Sequence, residues 1–253
     1  ISARRSGADA QGASATASAL RSKGNTVSDL TLGGGYRLPN PSLASRTIAR
    51  SSRGHFNGGV IADFGPGRMI RTESHLELVV LLILLMRPDI VDVVEQLPPI
   101  DYLDLNGTWK KHSFDFLATR SDGSRLALAV KPWKVALRQN LVKRLARVRA
   151  HMPSGFADCV RLITERHVDP VDKHNAWLLH GARHPEPEVD AVAAGVIETM
   201  TDAVRLQDLA DEIGMAGAGM RALVRLIRAG RLRTVAHERI GPETFVAKVE
   251  TKS

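Results

Sequence analysis

The stretch HSFDFLATRSDGSRLALAVKPW, residues 112–133, decides how the rest of the chain is read. It predicts two short strands joined by a turn at Asp122-Gly123. The first strand carries a lone acid, Asp115, between Phe114 and Phe116. The second is an apolar run that ends in Lys131. Packing alone asks for neither a carboxylate nor an ammonium in strands that read as buried. A turn at Asp122-Gly123 sets positions 115 and 131 roughly opposite one another, so their side chains are expected on one face of the hairpin.

Working outward, GRMIRTESHLELVVLLILLMRPD predicts a helix from about Thr72, with Thr72 as its N-cap, Glu73 in the first turn and Pro88 as its stop. The helix is apolar nearly all round after Leu78, which predicts burial. Glu73 and Glu77 are four apart and share one helical face. IVDVVEQLPPIDYLDLNGTWKK predicts strands with a hairpin turn at Asn106-Gly107. On the other side, residues 133–152 read as one amphipathic helix and FADCVRLITER as a further strand. The resulting α-β-β-β-α-β order over about 66–166 predicts an α/β fold, a mixed sheet flanked by helices.

Glu73, Glu77, Asp115 and Lys131 form the chemically interesting set. A helix packed on the hairpin face brings a glutamate to the Asp115–Lys131 pair. Mg²⁺ prefers such hard carboxylate oxygens and keeps several waters. It lowers the pKa of a bound water and neutralises charge growing on a phosphate. A lysine alongside orients the nucleophile or stabilises the phosphorus centre. The competing reading is a plain cross-strand ion pair between Asp115 and Lys131, with both glutamates solvated.

The features GRM before the helix, ESHLE, PDIVDVVEQ, the FDFL strand, DG and VKPW occur in an order and spacing that resembles the TnsA-type endonuclease subunit of heteromeric transposases. That family is a branch of the restriction-endonuclease-like PD-(D/E)xK superfamily. The likeness covers roughly residues 55–150, and the segment that follows is similar to the family's C-terminal winged helix. The resemblance implies a restriction-endonuclease-like core and Mg²⁺-dependent (or Mn²⁺-dependent) cleavage of double-stranded DNA at transposon ends. It also implies a DDE-type transposase and an ATPase regulator as partners. Carried over residue by residue, Glu77 matches the helix glutamate, with Glu73 as the second choice. Asp115 matches the central metal ligand and Lys131 the catalytic lysine, and the Val130 carbonyl completes the ligand set. The departure is Ala129, where the family carries an acid or glutamine. The alternative is therefore a nuclease-inactive DNA-binding protein, regulatory or assembling, that keeps the fold.

From Arg125 to His151 the chain has no acid, while it holds Lys134, Arg138, Lys143, Arg144, Arg147 and Arg149. A basic helix beside such a site is where a duplex backbone is expected, since phosphate contacts fix register without reading sequence. Trp133 is expected to pack under that helix. Residues 191–253 predict a helix-turn-helix with a wing, its second helix carrying Arg221, Arg225 and Arg228 toward DNA. The AGAG that opens this helix is short of base-reading side chains. Residues 1–58 read as a low-complexity tail, 59–166 as the nuclease domain and 167–190 as a polar, proline-punctuated linker.

Composition bounds the remaining classes. The net charge of +8 favours a polyanionic partner. A single cysteine, Cys159, excludes an intrachain disulfide framework and reads as a small core residue. TLGGGYR and FNGG lack the strand-to-helix context of a phosphate loop, and His174 and His180 are not at ligand spacing. The run LVVLLILLM, residues 78–86, is too short to span a bilayer. A cytoplasmic, nucleoid-associated bacterial protein is the expectation.

Overall fold

A computed structural model describes residues 31–32, 36–45, 56–63 and 67–250. Most of the predicted tail lies outside them. Its described part includes a short antiparallel pair, β1 (Thr31–Leu32) with β2 (Tyr36–Arg37). Asn40 then bridges to Arg68, and Ser45 donates from both its N–H and its hydroxyl to the Gln96 carbonyl. Residues 40–45 are thus fastened to the folded part, and the expected tail boundary at 58 is too late.

The chain divides into two compact units, residues 1–75 with 91–164, and residues 76–90 with 165–253. In the first, β3 (Gly58–Ala62) and β4 (Arg68–Thr72) form a two-stranded sheet. β6 (Ile100–Leu103) and β7 (Trp109–His112) form another, turning through Gly107 at φ +74° as the Asn-Gly signal predicts. The main sheet has the order β10-β9-β8-β5, from β5 (Ile90–Glu95), β8 (Phe116–Arg120), β9 (Arg125–Val130) and β10 (Cys159–Ile163). β9 runs antiparallel to β8 and parallel to β10, so the sheet is mixed.

Two sequence expectations shift by small amounts for clear reasons. The predicted helix over 133–152 is two helices, α2 (Trp133–Arg138) and α3 (Leu141–His151). Asn140 separates them in the left-handed conformation, φ +49°, which asparagine tolerates better than most residues. The apolar helix, α1 (His75–Met86), starts three residues later than expected. Thr72 does not cap it: this residue ends β4 and is fully buried. α1 belongs almost wholly to the second unit, so the predicted 59–166 domain is not contiguous in sequence.

α3 covers one face of the main sheet. Leu141, Leu145 and Val148 pack there with Leu117, Ala127 and Ala129. Lys143, Arg144, Arg147 and Arg149 lie among its other positions, which gives the helix a dry stripe and a basic outer face.

The second unit adds α4 (Pro170–Gly181), α5 (Pro187–Glu198), α6 (Leu206–Ile213) and α7 (Gly217–Arg228), with β11 (Val204–Arg205), β12 (Leu232–Thr234) and β13 (Phe245–Lys248) in the order β11-β13-β12. Its core joins Ile197, Leu206, Leu223, Leu232 and Val246. The predicted linker is part of this unit, because Leu179, Ala182 and Val189 are buried in that core. α6 and α7 pack so closely that a Cβ on Gly219 would stand 2.6 Å from the Gly214 carbonyl oxygen. The small residues opening α7 therefore serve this close approach.

Candidate functional site

The β8–β9 hairpin presents the pair the sequence singled out. Its turn spans Ser121-Asp122-Gly123, with Gly123 at φ +84° and Arg120 and Ser124 bonded across it. A three-residue loop moves the register by two from the expectation. The ladder ends with Phe116 opposite Leu128, and the Asp115 N–H bonds the Leu128 carbonyl at 2.9 Å, so Asp115 does not stand directly opposite Lys131. A shift of two preserves the face, so Asp115 and Lys131 still emerge together, now on a diagonal.

Asp115 is held from two sides. One carboxylate oxygen accepts from the Val130 N–H at 2.7 Å. The Lys131 Nζ donates to both oxygens, at 3.1 and 3.3 Å. The acid is 8% exposed and the lysine 37%, so the carboxylate is seated and the ammonium reaches solvent. Burial pushes the Asp115 carboxyl above its usual range. Lys131 and the Val130 N–H oppose that shift, and the nearby charge of Glu73 adds to it. Glu73, the second choice from sequence, is thus the glutamate whose field Asp115 feels. Glu77 is 3% exposed in the first turn of α1, in the second unit.

Ala129 is buried among the apolar side chains under α3, so no oxygen stands where an acid would face Asp115. Among the described residues, no three His, Cys, Asp or Glu side chains lie close enough to hold a metal ion by themselves. The donors present are still of the right kind for Mg²⁺. The ion keeps several waters and is commonly held by one or two carboxylates together with substrate phosphates. Asp115 and the Val130 carbonyl fit that sparse arrangement, with Glu73 of the same unit as the second carboxylate.

Two neighbours were not singled out from sequence. His112 ends β7, three residues before Asp115, and stacks edge-on against Phe114 at 4.8 Å. Burial lowers its pKa to about 4, and the charges of Arg144 and Lys131 push the same way. It is neutral at pH 7. Gln96 is fully buried at φ +48°, an uncommon conformation for a residue with a side chain. Its N–H donates to the Asp115 carbonyl at 2.8 Å, and the adjacent Glu95 is bonded by the Ser42 hydroxyl. The first histidine of the quoted stretch was a visible signal. A left-handed glutamine has none.

The predicted DNA contacts separate into two groups. Lys134, Arg138, Lys143 and Arg149 are exposed on α2 and α3. Arg144 and Arg147 are partly buried; Arg144 bonds Gln139, and Arg147 donates to the Leu103 carbonyl at 3.2 Å. On α7 the picture differs. Arg221 makes a two-pronged pair with Glu186, and Arg225, 10% exposed, pairs with both Glu186 and Asp190. These two arginines fasten α7 to the start of α5, and Arg225 is withdrawn from the surface. Arg228 is half-buried. The chain between β12 and β13 is tied down as well: Asn175 of α4 bonds the Glu238 carbonyl and the Ile240 N–H, and His237 pairs with Asp172.

Among the described residues no helix is long and apolar enough to cross a membrane. Compared with models of protein families and with curated proteins, the chain has no significant match.

Proposed function

We propose that this protein is a DNA endonuclease of the TnsA type, with a restriction-endonuclease-like first unit and a winged-helix second unit, acting at transposon ends beside a partner transposase. The observation that carries this reading is the Asp115–Lys131 pair at 3.1 Å, at the ends of adjoining strands of a mixed sheet, next to helices that carry no acid. The alternation of helices and strands around it, and the order β11-β13-β12 behind α6 and α7, support the two fold assignments.

In this reading Asp115 is an oxygen ligand and Lys131 faces the phosphodiester. The Val130 N–H fixes one carboxylate oxygen, which sets the direction of the other. The raised Asp115 pKa is the cost of seating a carboxylate in a dry place, and the Lys131 charge offsets it in part. Asp115, the Val130 carbonyl and one glutamate would hold Mg²⁺, which when bound supplies a water of lowered pKa and neutralises phosphate charge. Lys131 then stabilises the growing negative charge on the phosphate oxygens. Exposed cations on α2 and α3 hold the flanking backbone.

Ala129 favours a second reading, a protein that keeps the fold and the basic helices for DNA binding without cutting. One assay separates the two. Purified protein is incubated with supercoiled and transposon-end DNA in Mg²⁺ or Mn²⁺, with and without the cognate transposase. Cleavage that vanishes in Asp115→Ala is the expected result. Undiminished DNA binding with no cutting in any condition sinks the endonuclease reading and leaves the second.

A further inference from the structure

The β6–β7 hairpin lies along α3, and the contacts between them run in order. At the near end, His112 feels the charges of Lys131 and Arg144. Next, Lys110 feels the charge of Arg144. Arg147 then bonds the Leu103 carbonyl, and at the far end Trp109 meets His151 edge-on at 5.7 Å. From Arg144 to His151 is seven residues, about 10 Å along a helix. A line of side chains therefore leads from the Asp115–Lys131 pair, past Arg144 and Arg147, to Trp109.

Trp109 is the surprise at the end of this line. It is 65% exposed, in a chain with only three tryptophans. A large indole left in water forgoes the burial that would otherwise stabilise the fold. The His151 edge contact props one side of it and leaves a broad surface open. Exposed Leu105 lies beyond it at the hairpin tip. The lysines of this hairpin are matched locally, Lys110 by Asp104 at 2.5 Å and Lys111 by Asp101 at 4.0 Å. The positive field along the line therefore comes from α3, which contains no acid. A cationic track that ends on an open aromatic face suits one kind of ligand: a nucleic-acid strand whose phosphates follow the cations and whose base stacks on the ring.

We propose that Trp109 is a stacking platform for an unpaired base, a few nucleotides along the strand that leaves the Asp115–Lys131 pair over α3. The substrate class is then DNA with a frayed or single-stranded end, in preference to a fully paired duplex. This rests on the first unit being a DNA-binding unit, and it does not depend on cutting.

The test uses the full chain in EDTA, so that cleavage plays no part. Trp133→Phe and Trp177→Phe together leave Trp109 as the only indole. Its emission is followed while a duplex with a thymidine overhang, or the same duplex blunt-ended, is titrated in. Fluorescence anisotropy of labelled DNA reports binding independently. Quenching by the overhang DNA and little change with the blunt DNA is expected. Trp109→Ala should weaken overhang binding about ten-fold, as loss of one stacked base does. It should leave blunt binding unchanged, with Trp109→Phe falling between. Trp109 emission indifferent to bound overhang DNA, or equal weakening for both DNAs, overturns the stacking proposal alone. Failure of either DNA to bind at all overturns the DNA-binding reading and this proposal with it.

Discussion

The two units handle their cations in opposite ways. The first, residues 1–75 with 91–164, holds 22 Lys/Arg against 11 Asp/Glu, and α2 and α3 contain no acid at all. The second, residues 76–90 with 165–253, holds 13 against 16, and several of its arginines are spent internally. Arg205 pairs with Asp208 and Glu243, Arg221 and Arg225 with Glu186 and Asp190, and Arg231 with Glu198. An arginine on a helix is thus a poor guide to DNA contact until its partners are known. On α2 and α3 positive charge is displayed; on α7 Arg221 and Arg225 are mortar between elements.

That contrast, and the proposed endonuclease reading with it, can be broken most directly at the Asp115–Lys131 pair. Asp115→Asn keeps an acceptor for the Val130 N–H and removes the charge. Cleavage should fall by about 10³-fold or more, as when a principal electrostatic group is lost, while DNA affinity stays. Burial raises the Asp115 pKa, so the same variant is expected to melt no lower than the parent, as trading an active-site charge for stability predicts. A marked drop in melting temperature would make the pair a structural ion pair instead. Gly219→Ala probes the second unit. A Cβ 2.6 Å from the Gly214 carbonyl oxygen forces α6 and α7 apart, and thermal unfolding should show a loss of about 1–3 kcal/mol.

The comparison itself is sharpened by charge removal. Replacing Lys143, Arg144 and Arg149 with alanine should weaken DNA binding and reduce the slope of log affinity against log salt by about 2–3. Arg225→Ala should do neither, and should lower the melting temperature because Asp190 and Glu186 lose their partner. Equal effects of both on the salt slope would erase the distinction between the units. The smallest effect concerns His112. Its folded pKa of about 4 is below the ordinary value of 6.5, so its contribution to stability is complete above pH 6.5 and is lost as pH falls toward 4. His112→Gln should flatten stability across that window, which chemical unfolding at several pH values measures.

Much of the site was legible because it is local. Asp115 and Lys131 are 16 residues apart on one hairpin, and a period of two keeps them on one face because the register differs from the expectation by two. The break at Asn140 was harder to see, because Gln139-Asn140 interrupts neither the charge pattern nor the apolar stripe. The fate of Arg221 and Arg225 was illegible for another reason. Their partners Glu186 and Asp190 lie 35 or more residues upstream, and only the packing of α7 on α5 joins them. The surroundings of Glu73 depend on where α1 begins: at His75, Glu73 falls before the helix and its charge acts on Asp115. Ser42 and Ser45 sit in a segment whose composition gave no hint of docking.

Because Asp115 and Lys131 share one short hairpin, the contact between them has only a short loop to close. A hairpin closed by a three-residue loop forms in about 1–10 μs, whereas the parallel strand β10 must wait for the whole α2–α3 crossover to be laid down. Synthesis from the N-terminus delivers β8 and β9 together from the ribosome, well before β10 exists to flank them. The pair takes its final setting only once β10 arrives, because the Lys131 N–H bonds the Ile163 carbonyl of that strand at 3.0 Å.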